Sequence, residues 1–240
     1  MAGEFPPGSR LDYKKLSAEI GMSTTPVREA VSQLASEGFL ELVPRLGAIS
    51  RRLSREDAVE FFGVREAIET HAAAKAAETI SDRQLVEMET LVARMEAFVA
   101  ELHKSGKREM TGDRLKQFLE ADLAFHMELV ESANNQRLAK LAANSHAYTN
   151  IFGADCMTHS LERVEEACGF HRRVVESLRK GDADKTRRAV AEHLQRSLKL
   201  TTEHLDLARR ERWWRPGGGA SAAERIGAVK AVRKKTKRRS

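Results

Sequence analysis

From Ser54 to about Arg210, apolar residues return every three or four positions, the period of helices with one buried face. Ser54 reads as an N-cap with Asp57 three residues on, and Ala58, Phe61, Phe62 and Ile68 continue that helix. Ser81 and Gln84 open the next in capping-box fashion, followed by Leu85, Met88, Leu91, Val92, Met95 and Val99. A third helix is predicted from about Asp113 to Ser132, with Leu115, Leu119, Leu123, His126 and Val130 along one side. Asn134-Asn135 interrupts it, and Leu138, Leu141 and Ala142 begin a fourth. A fifth ends at Gly181, and Asp182 starts a last helix reaching about Arg210. The pattern predicts an all-α bundle of six or seven helices over residues 54–210.

Residues 1–53 follow a different rhythm. Tyr13, Leu16 and Ile20 outline a short amphipathic helix, and Gly21-Met22-Ser23 is a tight turn. A second helix carries Val27, Ala30, Val31 and Leu34 at i, i+3, i+4 and i+7; Thr25 is its expected cap, Pro26 its first residue, and Gly38 follows its end. Phe39 to Val43, a turn over Pro44 to Gly47, and Ala48 to Ser50 then read as a β-hairpin. Two helices across a glycine turn followed by a hairpin make a winged helix-turn-helix, so the fold class is mainly α with two units.

Charge adds a third region. The chain carries a formal +6, but residues 211–240 hold ten Lys/Arg against two Glu, leaving −2 for the first 210. The basicity belongs to a tail that follows Pro216 and three glycines and has too little apolar content to pack. Its composition suggests a solvated end or nonspecific nucleic-acid affinity. Two cysteines, Cys156 and Cys168, lack zinc-like or redox spacing. With no run of about 18 apolar residues and no apolar core at the start, the expectation is a soluble cytoplasmic protein with no membrane contact, on the nucleoid when bound to DNA.

The second short helix has the chemistry of a DNA reader. Its N-terminus can face a phosphate while Ser23, Thr24 and Thr25 donate hydroxyl hydrogen bonds. Arg28 is long enough to present two donors to a guanine edge. The run Ser23-Thr24-Thr25-Pro26-Val27-Arg28-Glu29-Ala30-Val31, with Gly38 after it and Gly47 in the wing, resembles the GntR family of bacterial regulators. The preceding Phe5 to Leu11 matches that family's approach to its second helix. The resemblance implies that Lys14, Ser23, Thr24, Thr25, Arg28 and Gly47 lie at double-stranded operator DNA. Thr24 stands where the family usually has Arg. The family also has a helix before Gly3, so this reader is expected without its first helix, with Leu16, Ile20 and Val31 exposed.

In the helical region, Asp122 and His126 are one turn apart on one face. His171 lies ten residues before Gly181 and His193 eleven after Asp182, so both stand roughly 15–17 Å from the turn of a helical hairpin, side by side. Three imidazoles and one carboxylate converging in a bundle suit Zn²⁺, Ni²⁺, Mn²⁺ or Fe²⁺. His146, on the intervening helix, is a possible pocket donor; His71, His103, His159 and His204 have no such registration. Leu119 to His126, Phe170-His171-Arg172, Gly181-Asp182-Ala183 and Glu192-His193-Leu194 resemble the FCD domain of one GntR branch, and Val64 to Glu69 matches its opening helix. The resemblance implies a divalent ion on Asp122, His126, His171 and His193, and a small organic or sugar acid as effector. Arg65 then has two readings, a partner for the effector carboxylate or a salt bridge with Glu69.

The function expected is a homodimeric transcriptional regulator that is not an enzyme. A metal-dependent enzyme is the first alternative, against which stands the lack of an HExxH or nucleophile motif. A nonspecific nucleic-acid binder, resting on the tail, is the second.

Overall fold

The computed structural model describes residues 8–51, 53–153 and 158–214. Phe5 to Pro7, Cys156 and the tail beyond Trp214 lie outside them. Helix α1 (Tyr13–Ile20) starts at Asp12, whose carboxylate accepts from the Lys14 and Lys15 amides, and stops at Gly21, φ +72°. Helix α2 (Thr24–Ser36) begins two residues earlier than expected: Ser23 is the N-cap and Pro26 the third helical residue. An N-cap side chain bonds the amide of the second or third residue, and a proline at the third offers none. Ser23 accordingly makes no side-chain cap hydrogen bond, and the first turn of α2 keeps open amides.

Strands β1 (Leu40–Val43) and β2 (Gly47–Ser50) form the wing, antiparallel with Leu40 opposite Ser50 and Val43 opposite Gly47. Leu11, Val27, Val31, Phe39, Leu40 and Ala48 make the small core beneath it. Two expectations change here. Val31 is buried, closed over by that core, whereas Ala30 and Leu34 of the predicted apolar face are exposed. Ile20 is exposed as expected and Leu16 is half-buried.

Six helices follow: α3 (Arg55–Thr79), α4 (Asp82–Lys104), α5 (Gly112–Glu131), α6 (Gln136–Gly153), α7 (Leu161–Arg179) and α8 (Ala183–Trp214). The predicted capping boxes close, Ser54 with Asp57 on α3 and Ser81 with Gln84 on α4. Asn134 takes the left-handed conformation, φ +53°, and the Asn135 side-chain Oδ1 caps α6 by accepting from the Arg137 and Leu138 amides. Gly181, φ +64°, turns α7 into α8, which runs on past position 210 to Trp214.

Helix α3 packs most extensively against α8, and α4 against α5 and α7. Phe118, Phe125, Met88, Met95, Leu129 and Leu194 are fully buried at the centre. On the rim of the α4–α7 seam, Glu89 pairs with Arg179, Glu96 with Arg172 and His103 with Glu165.

A second small sheet was not expected. Strand β3 (Glu109–Thr111) pairs antiparallel with β4 (Thr158–Ser160), setting Met110 opposite His159. Three-residue strands carry too short an alternation to be read from sequence. This sheet ties the start of α5 to the start of α7. No helix among the described residues is long and apolar enough to cross a membrane.

Candidate metal centre and DNA-facing surface

Three helices bring the four predicted ligands together. Asp122 and His126 come from α5, His171 from α7 and His193 from α8, and one ligand atom from each lies within 4.8 Å of all the others. The hairpin register holds: the His171 and His193 rings are 4.6 Å apart. His126 stacks on His193, with 3.2 Å between their Nε2 atoms, and His171 Nε2 is 3.4 Å from Asp122 Oδ1. The three rings are buried, while the Asp122 side chain keeps 28% of its exposure.

Burial keeps two of the rings, His171 and His193, neutral. Burial pushes His171 down to about 4, and burial together with the His171 and His126 rings pushes His193 well below the usual imidazole value. Burial alone would raise the Asp122 carboxyl; the neighbouring His126 and His171 rings and the Arg65 guanidinium more than reverse this and hold it low. Neutral imidazole beside ionised carboxylate is the protonation state that ligates a divalent cation.

The donor set passes a test of fit. Both ring nitrogens of His171 are buried without a hydrogen-bond partner. A native interior rarely tolerates that, and an ion among these residues would satisfy one of them. The 3.2 Å between Nε2 atoms is also the spacing of two imidazoles each ~2.1 Å from one shared ion at an angle near 100°.

Behind the ligands lies Glu69, fully buried on α3. His126 donates Nδ1–H to Glu69 Oε2 at 2.7 Å, and Arg65 donates Nε–H to Oε1 at 2.7 Å. His146 Nε2 is 3.1 Å from the same Oε1. Burial would raise the Glu69 carboxyl, but Arg65 and then His126 hold it well below the usual range. Of the two readings of Arg65, the structure shows the salt bridge, with the guanidinium also 5.2 Å from the Phe62 ring. Glu69, His126 and His146 form a second close cluster, but Arg65 already supplies the positive charge there.

A cavity of about 530 Å³ opens over this floor. Arg65, Asp122, His126, His146 and His193 line it, as does His159 of β4. Two positions had no site role in the sequence: Glu69, behind the ligands, and His159, in the cavity wall. Glu69 carried a signal, since with Arg65 it puts charge on the buried stripe of α3 beside Phe62, Ala72 and Ala73. His159 carried none, because it sits on the unpredicted strand. Cys168, the buried cysteine of α7, has its thiol pushed up to about 12 by burial and is inert.

At the other end of the chain, Ser23, Thr24, Thr25 and Arg28 are exposed at the start of α2, and Lys14 is exposed on the first turn of α1. The Arg28 guanidinium lies 5.6 Å from the Tyr13 ring centre. Gly47 is half-buried with φ +88°, and a Cβ there would stand 3.8 Å from Tyr13 Cε2. Its backbone brings the wing against α1.

A winged helix-turn-helix joined to an all-helical bundle with a ligand-sized cavity is the architecture of a DNA-binding transcriptional regulator. The chain belongs to the GntR family, in the branch that carries the FCD domain: residues 1–49 match "Bacterial regulatory proteins, gntR family" and residues 60–196 match "FCD domain". It is 29% identical over 204 residues to a probable D-xylose utilization operon transcriptional repressor of Paenarthrobacter nicotinovorans, covering 83% of this chain and 82% of that one. It is 28% identical over 189 residues to the transcriptional repressor RspR of Escherichia coli, covering 79% and 78%. Among solved structures, E. coli McbR/YncC shares the fold with a TM-score of 0.70 at 21% identity, covering 84% of this chain and 91% of that one. The two sequence relatives are named as transcriptional repressors.

Proposed function

We propose that this regulator works as a homodimer on an operator, and that its helical bundle senses a small carboxylate beside a divalent ion held by Asp122, His126, His171 and His193. One observation carries the reading: four potential ligands from three helices converge within 4.8 Å, and both ring nitrogens of the buried His171 lack a hydrogen-bond partner. The bound ion supplies an electrophilic anchor for a carboxylate. The donors, three nitrogens and one oxygen, suit Zn²⁺, Ni²⁺, Mn²⁺ or Fe²⁺.

The chain's own residues do the rest. Glu69 fixes the tautomer of His126, so that Nε2 faces the centre. Arg65 spends its Nε–H on Glu69 and lines the cavity, where its remaining N–H groups are placed for an effector oxygen, with His146 beside it. Occupation ties α5, α7 and α8 together, and α3 joins them through Glu69. An effector changes operator affinity only by binding two conformations unequally, by about 1–3 kcal/mol in ordinary allosteric proteins. Lys14, Ser23, Thr24, Thr25, Arg28 and Gly47 form the operator-facing surface. A single small reader gives limited specificity, which favours a symmetric pair on an inverted repeat in the cytoplasm.

The test is metal analysis of chelator-free protein with thermal melts. We expect one divalent ion per chain, a lower melting temperature in EDTA, and loss of both in His171→Ala with operator binding by the ion-free protein kept. Absence of an ion, together with a melt unmoved by added Zn²⁺, Ni²⁺ or Mn²⁺, overturns the metal reading. Light scattering that finds only monomer at micromolar concentration overturns the dimer.

A further inference from the structure

The cavity above the metal-binding floor has a long apolar wall. Its volume, about 530 Å³, falls within the ~300–1,000 Å³ of sites that enclose drug-sized ligands. Leu115, Leu119 and Leu123, at i, i+4 and i+8 of α5, form a stripe along one wall beside Asp122. Phe62 of α3 and Phe170 of α7 line it as well, and Leu200 of α8 faces the same space. Leu119, Leu123, Phe170 and Leu200 are only half-buried although they sit among packed helices. All four line the cavity.

Two of the arginines in this wall are already matched in charge. Arg65 is committed to Glu69, and Arg196 Nε donates to both carboxylate oxygens of Glu166 at 2.8 Å. A second acid group lying against the leucine stripe would give up its hydration without a cation in return, and besides these two arginines the lining holds Lys116 and Arg163. A chain of hydroxyls laid along the leucine stripe would lose hydrogen bonds to water without replacement.

We infer that the effector is a monocarboxylic acid with an extended apolar body, aliphatic or aromatic. Its carboxylate lies over Asp122, His126 and His193, and its body runs along the Leu115–Leu119–Leu123 stripe. This rests on the carboxylate-at-metal reading above and narrows it.

The experiment is calorimetric titration of the full chain, loaded with Zn²⁺ or Ni²⁺, with acetate, butyrate, hexanoate, octanoate, 3-phenylpropionate, gluconate and succinate, repeated in EDTA. Each methylene taken out of water strengthens binding roughly fourfold, so affinity should climb steeply from acetate to hexanoate. Gluconate and succinate should bind no better than acetate. Leu119→Gln should flatten the climb and leave acetate unchanged, and the wild-type series stands without it if the variant folds poorly. A flat series, or gluconate or succinate binding more than about tenfold tighter than octanoate in a metal-dependent manner, overturns the apolar body while sparing the carboxylate-at-metal reading. If no acid binds more tightly with metal than in EDTA, that underlying reading itself fails.

Discussion

Glu69 and His126 are 57 residues apart in the chain, yet the ring Nδ1 stands 2.7 Å from the carboxylate. The carboxylate cannot donate, so the ring gives its Nδ1 proton to Glu69 and keeps the Nε2 lone pair for the cluster. Glu69→Gln removes the charge but keeps the shape. We expect metal affinity to fall by about 10–100-fold, the usual cost of losing such support. The same change leaves Arg65 buried without its counter-charge, at a cost of about 3–5 kcal/mol. Competition with a chromogenic chelator measures the first, and denaturant melts of the metal-free protein measure the second.

At the reader, Arg28→Ala should cost about 1–3 kcal/mol and relax preference at one operator position. Lys14→Ala should weaken all sequences alike and reduce the salt dependence of binding. Tyr13→Leu removes the ring beneath the guanidinium and should cost about 0.5–1 kcal/mol. Fluorescence anisotropy on an operator and its single-base variants checks all three. Equal loss on every variant for Arg28→Ala would show contact with phosphate alone.

His159 sets a pH dependence. Burial pushes its imidazole down to about 4, while in the unfolded chain it titrates near 6.5. As pH falls below about 6.5, the unfolded state takes up the proton first, so stability drops down to about pH 4 and levels off below. At pH 5 this contributes about 2 kcal/mol relative to pH 8. His159→Gln should therefore show a shallower loss of melting temperature between pH 8 and 5 than the wild type. Parallel curves would show that the residue is solvated in both states.

Gly169 sits in the middle of α7, and a Cβ added there meets nothing within 4 Å. Gly169→Ala should raise stability by about 0.5–1 kcal/mol, since alanine has less backbone freedom to lose in a helix. A lower melting temperature would reveal a contact beyond the single chain.

The sequence was most legible where local rules act. Ser54 with Asp57, Ser81 with Gln84, and Gly181 mark helix ends through neighbouring groups, and each is found there. Counting residues from Gly181 then paired His171 with His193. Long-range chemistry was harder to see. Nothing near Glu69 announces His126, because the contact exists only once α3 lies against α5. Strand β4 carries His159 into the cavity wall through pairing with β3, some 50 residues away in sequence. At α2, Pro26 misled: it suits the first helical position so well that the start was expected there, when Ser23 precedes two further residues.

The three ion pairs on the α4–α7 seam fall at positions 89, 96 and 103 on one helix and 179, 172 and 165 on the other, steps of seven on both. A straight α-helix drifts about 20° for every seven residues, so rungs at this interval stay opposed only if the helices wind gently left-handed about one another. Each rung, being exposed, is worth at most about 1 kcal/mol, and any one of them can be substituted cheaply. Phase is another matter. A single residue inserted between positions 89 and 96 would rotate everything beyond it by about 100°, swinging the later rungs off their partners and Met95 off the core at a stroke.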